Sequence, residues 1–173
     1  MAKNEAGNVL ATEVSAADVC KDPVLFLAFG LGSGLAPKAP GTAGSLLAIL
    51  LYPLLAMLPL PAYILFVVVF AVVGIWICGR ACEKLGVHDH GGIVIDEVAG
   101  VWLAMTAMPV TIPTLIAGFV LFRFFDIVKP WPIGMLDKRI HGGLGVMLDD
   151  LVAGCLTWVV LVAAQMLIGG FGI

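Results

Sequence analysis

Two carboxylate doublets, Asp96–Glu97 in "IVIDEVAG" and Asp149–Asp150 in "MLDDLVAG", and one further acid, Asp126 in "FRFFDIV", stand in or beside apolar stretches. Taking an ionised carboxylate out of water costs on the order of several kcal/mol unless something compensates it. One acid at one helix start is explained by capping and by the helix dipole. A doublet exceeds that need, because a single cap residue suffices. Asp126 falls near the end of its apolar run, where the dipole disfavours an anion, and its simplest partner is Arg123 or Lys129, each three residues away. Five carboxylates gathered without a cation would repel and raise one another's pKa. Hard oxygen ligands of this kind suit a divalent cation such as Mg²⁺, which takes one or two carboxylates together with waters and substrate phosphate. Successive helix residues project about 100° apart, so one member of each doublet is expected to coordinate while its neighbour orients a water, a second ligand or a second ion.

A phosphate would need its own partners. In "APGTAGS" the residues Pro40, Gly41, Thr42, Gly44 and Ser45 open an apolar segment, where backbone N–H groups and hydroxyls form an anion cradle. The same residues also make an ordinary turn and cap. Arg123 can grip a phosphate bidentately and Lys129 can add a point charge, although either also serves as a snorkelling anchor. His88, His90 and His141 lie in glycine-rich loops next to the acids, and are expected to orient the loops, bind phosphate or protonate a leaving group. Cys78, Cys82, His88 and His90 could suggest zinc, but their spacing matches no usual structural zinc pattern.

The elements that must hold these groups are helices. The chain has 173 residues, 61% hydrophobic and 12% charged. A soluble domain carries about twice that charged fraction, so an integral membrane protein is the expected class. Apolar runs at 43–58, 62–79, 93–108, 112–128 and 149–168 are too long for strands and show no alternation. The fold expected is an all-α membrane-embedded bundle of about five spanning helices, with 24–36 as a shorter re-entrant or interfacial segment broken by "GLGSG". Residues 1–22 are expected as a polar cytoplasmic tail and 23–173 as one catalytic domain. Threading the runs alternately places Lys38, Arg80, Lys84, Arg123, Lys129, Lys138 and Arg139 on one face, which is therefore the cytoplasmic one. The same threading brings every polar motif to that face. No basic stripe for nucleic acid is present. The four cysteines form no paired framework and read as free thiols.

The segments "GLGSGLAPKAPGTAGS", "GVHDHGGIVIDEVAG", "FRFFDIVKPWPI" and "HGGLGVMLDDLVAG" resemble, in order, the signature segments of the bacterial phosphatidylglycerophosphatase A family, and they cover the chain from about residue 29 to residue 154. The resemblance implies an all-α, Mg²⁺-dependent phosphatase of the inner membrane, whose active site the threading puts on the cytoplasmic face. Its expected reaction removes the terminal phosphate of phosphatidylglycerophosphate to leave phosphatidylglycerol. The resemblance carries Asp96, Glu97, Asp126, Asp149 and Asp150 as the acidic set, with Arg123, Lys129, Thr42 and the histidine loops on the phosphate side. Other phosphatase designs lack their parts here: no Cys is followed six residues later by Arg, no Asp-x-Asp pair follows a strand, and no "PSGH" segment occurs. The competing classes are a phosphatase for another lipid phosphate and an ion-coupled transporter. The transporter reading is opposed by the absence of internal repeats and midplane charge.

Overall fold

A computed structural model describes residues 14–87, 90–131, 133, 135, 140 and 142–168, and the regular structure among them is helical. Short helices α1 (Ala16–Lys21) and α2 (Pro23–Ala28) lead into a tight turn over Gly30–Leu35. Five longer helices follow: α3 (Pro40–Leu55), α4 (Leu60–Leu85), α5 (Ile95–Ala104), α6 (Ile112–Val128) and α7 (Gly142–Ile168). Their starts follow local chemistry. Asp22 accepts hydrogen bonds from the Val24 and Leu25 amides at the head of α2, and Thr111 caps α6 through the Thr114 amide. Proline occupies the first turn of α2, α3, α4 and α6, where its missing N–H is not needed.

Helices α4 and α7 are long and apolar enough to cross a membrane. At 1.5 Å per residue each rises about 40 Å, against a hydrocarbon core of about 30 Å. The expected count of about five spanning helices is not supported. Helix α3 has 16 residues, α6 has 17 and α5 only 10. The apolar run at 93–108 overstated its helix, because α5 stops at Ala104 and the chain turns through Met105–Ala107. Helix α2, with six residues, rises about 9 Å and does not span either. Of the polar opening, the part from Ala16 is helical, buries Val19 in the core and ties Asp22 to Lys84 on α4.

Helix α5 sits inside the bundle, packed chiefly on α7 and also against α3, α4 and α6. Of its ten residues, eight are buried, Asp96 among them. Two glycine contacts set the approach of its neighbours. A methyl group added at Gly154 of α7 would strike the Gly100 carbonyl of α5, and one added at Gly143 would strike the Ile75 carbonyl of α4. The core divides in two. One part gathers Phe29, Cys78, Ala81, Ile95 and Met147 near the start of α7, and the other gathers Tyr52, Tyr63, Trp102, Met105, Phe122 and Leu161 toward its end. Outward, α4 exposes Ile64, Leu65, Val68, Val69, Val72, Val73 and Trp76, while α7 exposes Val159, Met166, Leu167 and Ile168. Exposed apolar side chains in this number mark a surface suited to lipid or to a protein partner.

Candidate active site

The start of α5, the end of α6 and the first turns of α7 meet around a cavity of about 170 Å³. Asp96, Glu97, Asp126, Lys129, Asp149 and Asp150 line it, together with Gly91, Ile93, Ile140, Gly145 and Val146. All five expected carboxylates therefore share one enclosure, supplied by three separate helices. The glycines and Ile140 were not singled out in the sequence. "HGGLG" was the available signal, since a run of small residues lets backbone form the wall.

The expected start of the last helix is corrected. Helix α7 begins at Gly142, not at Asp149, because Gly143 and Gly145 can press against the backbone of Ile75 and Ile140. Asp149 and Asp150 thus lie two turns inside the helix and are buried to 6% and 4% exposure. Macrodipole stabilisation fades within the first turn, so capping does not explain them. Asp96 and Glu97 do lie in the first turn of α5, but the cap position is Val94, whose side chain makes no hydrogen bond.

Asp96, Glu97 and Asp150 each present one carboxylate oxygen, and the three oxygens fall within 4.8 Å of one another. Both members of the Asp96–Glu97 doublet thus turn an oxygen toward one point, where one member was expected to do so. The extra methylene of Glu97 lets it reach back across the 100° between neighbours. Among the described residues, Asp96 Oδ1 and Glu97 Oε2 are buried with no hydrogen-bond partner. Buried orphaned acceptors beside a third carboxylate are what a hard divalent cation would satisfy, so the donor set fits the group that the sequence implied. Helix α5 is too short to cross a membrane, and within it burial, then the Glu97 charge, push the Asp96 carboxyl well above the ordinary range. Burial, then the Asp150 charge, do the same to Glu97.

The basic groups are already engaged. Arg123 Nη1 donates to Asp126 Oδ2 at 2.6 Å and lies 3.7 Å from Glu97 Oε1, while its buried Nε has no partner among the described residues. Lys129 Nζ donates to Asp149 Oδ2 at 2.6 Å. Lys129 caps α6 in the left-handed conformation at φ 44°. A non-glycine residue carries strain of about 1–2 kcal/mol there, and the Lys129 side chain reaches across to Asp149 on α7.

The proposed anion cradle stands behind the cavity wall. Pro40, Gly41, Thr42, Gly44 and Ser45 lie in the first two turns of α3 and do not line the cavity. Ser45 Oγ donates to the Gly41 carbonyl at 2.8 Å and faces Arg123 Nη1 at 3.5 Å. Gly44 packs on Val94. His90 Nδ1 accepts from the Gly92 amide at 3.0 Å and its ring lies against Phe29, so it braces the loop whose Gly91 reaches the cavity. His88 and His141 lie outside the described residues. Cys78 and Cys82 are buried and join no group of potential metal ligands among the described residues.

The family model described as phosphatidylglycerophosphatase A matches residues 26–165. A phosphatidylglycerophosphatase A from Escherichia coli K12 is 45% identical over 137 residues, covering 79% of this chain and 80% of the relative. One from Haemophilus influenzae is 40% identical over 146 residues, covering 83% and 90%. A relative from Bacteroides thetaiotaomicron, provisionally named a phosphatidylinositol-3-phosphatase, is 39% identical over 155 residues, covering 85% and 96%. No solved structure matches the chain.

Proposed function

Because the chain belongs to the phosphatidylglycerophosphatase A family, we propose that its acid-lined cavity hydrolyses the terminal phosphate monoester of phosphatidylglycerophosphate, using Mg²⁺ held by Asp96, Glu97 and Asp150. The chain is an enzyme, a phosphoric monoester hydrolase. The observation that carries the site assignment is the convergence of those three carboxylates, from α5 and α7, on one point. A bound Mg²⁺ would supply charge neutralisation for the phosphate oxygens.

The remaining roles belong to side chains. Asp126 holds Arg123 by an ion pair and leaves the unpartnered Nε edge of the guanidinium free to meet a phosphate oxygen. Asp149 holds Lys129 at the cavity wall, where its ammonium offsets a second oxygen. The three cation ligands, the Arg123-paired Asp126 and the Lys129-paired Asp149 together account for every carboxylate on the wall. That assignment supports water as the nucleophile over an aspartate. The apolar exteriors of α4 and α7 support a lipid-embedded enzyme, and the positive-inside pattern supports a site open to the cytoplasmic face of the inner membrane.

Purified protein in detergent should release phosphate from phosphatidylglycerophosphate when Mg²⁺ is present and stop when EDTA is added. A single turnover in ¹⁸O-labelled water should place label in the phosphate and none in the protein. Ion transport without hydrolysis would remove the enzyme reading of the cavity. The Bacteroides relative's name favours one alternative substrate class, a phosphoinositide. Rates on phosphatidylglycerophosphate, phosphatidate and phosphatidylinositol 3-phosphate decide between them.

A further inference from the structure

We infer that Gly41 is a positioning residue, keeping the first turn of α3 thin enough for Glu97 and Arg123 to take their places in the site; this rests on the cation reading above. A methyl group added at Gly41 would fall on Glu97 Oε1 and lie 3.0 Å from Arg123 Nη1. Gly74 and Gly118 likewise meet flexible ends, of Met147 and Met105, but other tight glycines meet backbone. At Gly34, Gly143 and Gly154 the added methyl would strike a backbone carbonyl, so the helices themselves would have to separate. At Gly41 the obstacle is the far end of a flexible side chain, which can move while the fold stays intact. The cost of a side chain at position 41 is therefore paid in the placement of the Glu97 carboxylate.

That placement has consequences on both sides of the carboxylate. Glu97 Oε1 faces Arg123 at 3.7 Å, while Oε2 is the buried orphan beside Asp96 and Asp150. Displacing the group withdraws an oxygen from the cation trio and removes one of the two acids that hold Arg123. Ser45, one turn along α3, extends the same surface: its hydroxyl faces Arg123 Nη1 and is tied back to the Gly41 carbonyl. The "PGTAGS" turn thus shapes the site from behind, by what it leaves out at position 41 and by what it offers at position 45.

A double-mutant cycle between positions 41 and 97 tests this, read by direct Mn²⁺ binding in electron paramagnetic resonance and by melting temperature in EDTA. Gly41→Ala should weaken Mn²⁺ binding by about tenfold or more, the size of losing a group that orients a metal ligand. In the Glu97→Asp background, where the shorter side chain vacates the space, Gly41→Ala should cost far less in both readings. Equal losses in the two backgrounds, or unchanged Mn²⁺ affinity in Gly41→Ala, would overturn the inference. If Gly41→Ala fails to fold, the double variant should recover the fold; a double variant that also fails shows that the obstacle is not Glu97. A wild-type protein that binds no Mn²⁺ would remove the cation reading alone, and the coupling of the two positions would still stand or fall on the melting temperatures.

Discussion

The two ends of this bundle bury polar groups in opposite ways. Toward the far end, the Tyr52 hydroxyl donates to the Met108 carbonyl, the Tyr63 hydroxyl to the Trp102 carbonyl, the Trp102 indole to the Ala48 carbonyl and the Thr157 hydroxyl to the Ala153 carbonyl. Each of these buried donors has an acceptor. At the other end, Asp96, Glu97 and Asp150 crowd together while Asp96 Oδ1, Glu97 Oε2 and Arg123 Nε find no partner among the described residues. A fold uses satisfied pairs to hold its shape, whereas unsatisfied like charges work against it and persist where another component completes them. The difference separates the part of the molecule that maintains the structure from the part that acts.

If that division is right, substitutions at the two ends should dissociate activity from stability. Asp96→Asn should lower turnover by about 10²–10³-fold, the scale of losing an electrostatic group aimed at a transition state. Its melting temperature in EDTA should hold or rise, because a repelling charge has been removed. A parallel fall in both would break the comparison. Arg123→Lys keeps the charge but loses the fork geometry and the Nε edge, so turnover should fall by about 10²-fold. Phosphate release under saturating lipid measures it, with added guanidinium expected to restore part of the rate. At the far end, Tyr52→Phe strands the Met108 carbonyl and should destabilise by about 1–3 kcal/mol, read as a lowered melting temperature with turnover intact. The smallest effect lies outside both networks. The Lys84 hydrogen bond holds the Asp22 carboxyl below the ordinary aspartate range. Its contribution to stability is therefore present above the ordinary aspartate pKa and is lost as pH falls through the depressed value. Lys84→Met should flatten that acid limb in melting curves taken across pH, while leaving neutral-pH turnover unchanged.

Much of this organisation was legible in the residues, and the misreadings have a common cause. Helix α6 was read at its observed bounds, 112–128, because threonine and proline open it and a proline follows the lysine that closes it. The five acids were found by type and by their setting in apolar sequence. Helix α7 was begun seven residues late, since "HGGLG" reads as a loop when propensity alone is considered. Packing reverses that reading: Gly143 gains a close approach to α4 that no larger residue could make. The glycines of "PGTAGS" read equally as a phosphate cradle or as a turn and cap, and in the fold Gly41 and Gly44 are packed against Glu97 and Val94. In each case the local pattern identified a residue that must be small, and only tertiary contact showed what it had to be small for. The span count failed for a related reason, because buried apolar runs around a polar site need not be of membrane length.

The early start of α7 also sets a height. With Asp149 and Asp150 two turns in, the stretch 151–168 that remains beyond them rises about 27 Å, close to the thickness of a bilayer's oily interior. Seated in a membrane, the helix acts as a ruler whose zero mark is the acid pair, at the level where phosphates of neighbouring lipids lie. A lipid would then reach the cavity by lateral diffusion with its tails still among their fellows, and the phosphate would leave into water while the product stayed behind in the leaflet.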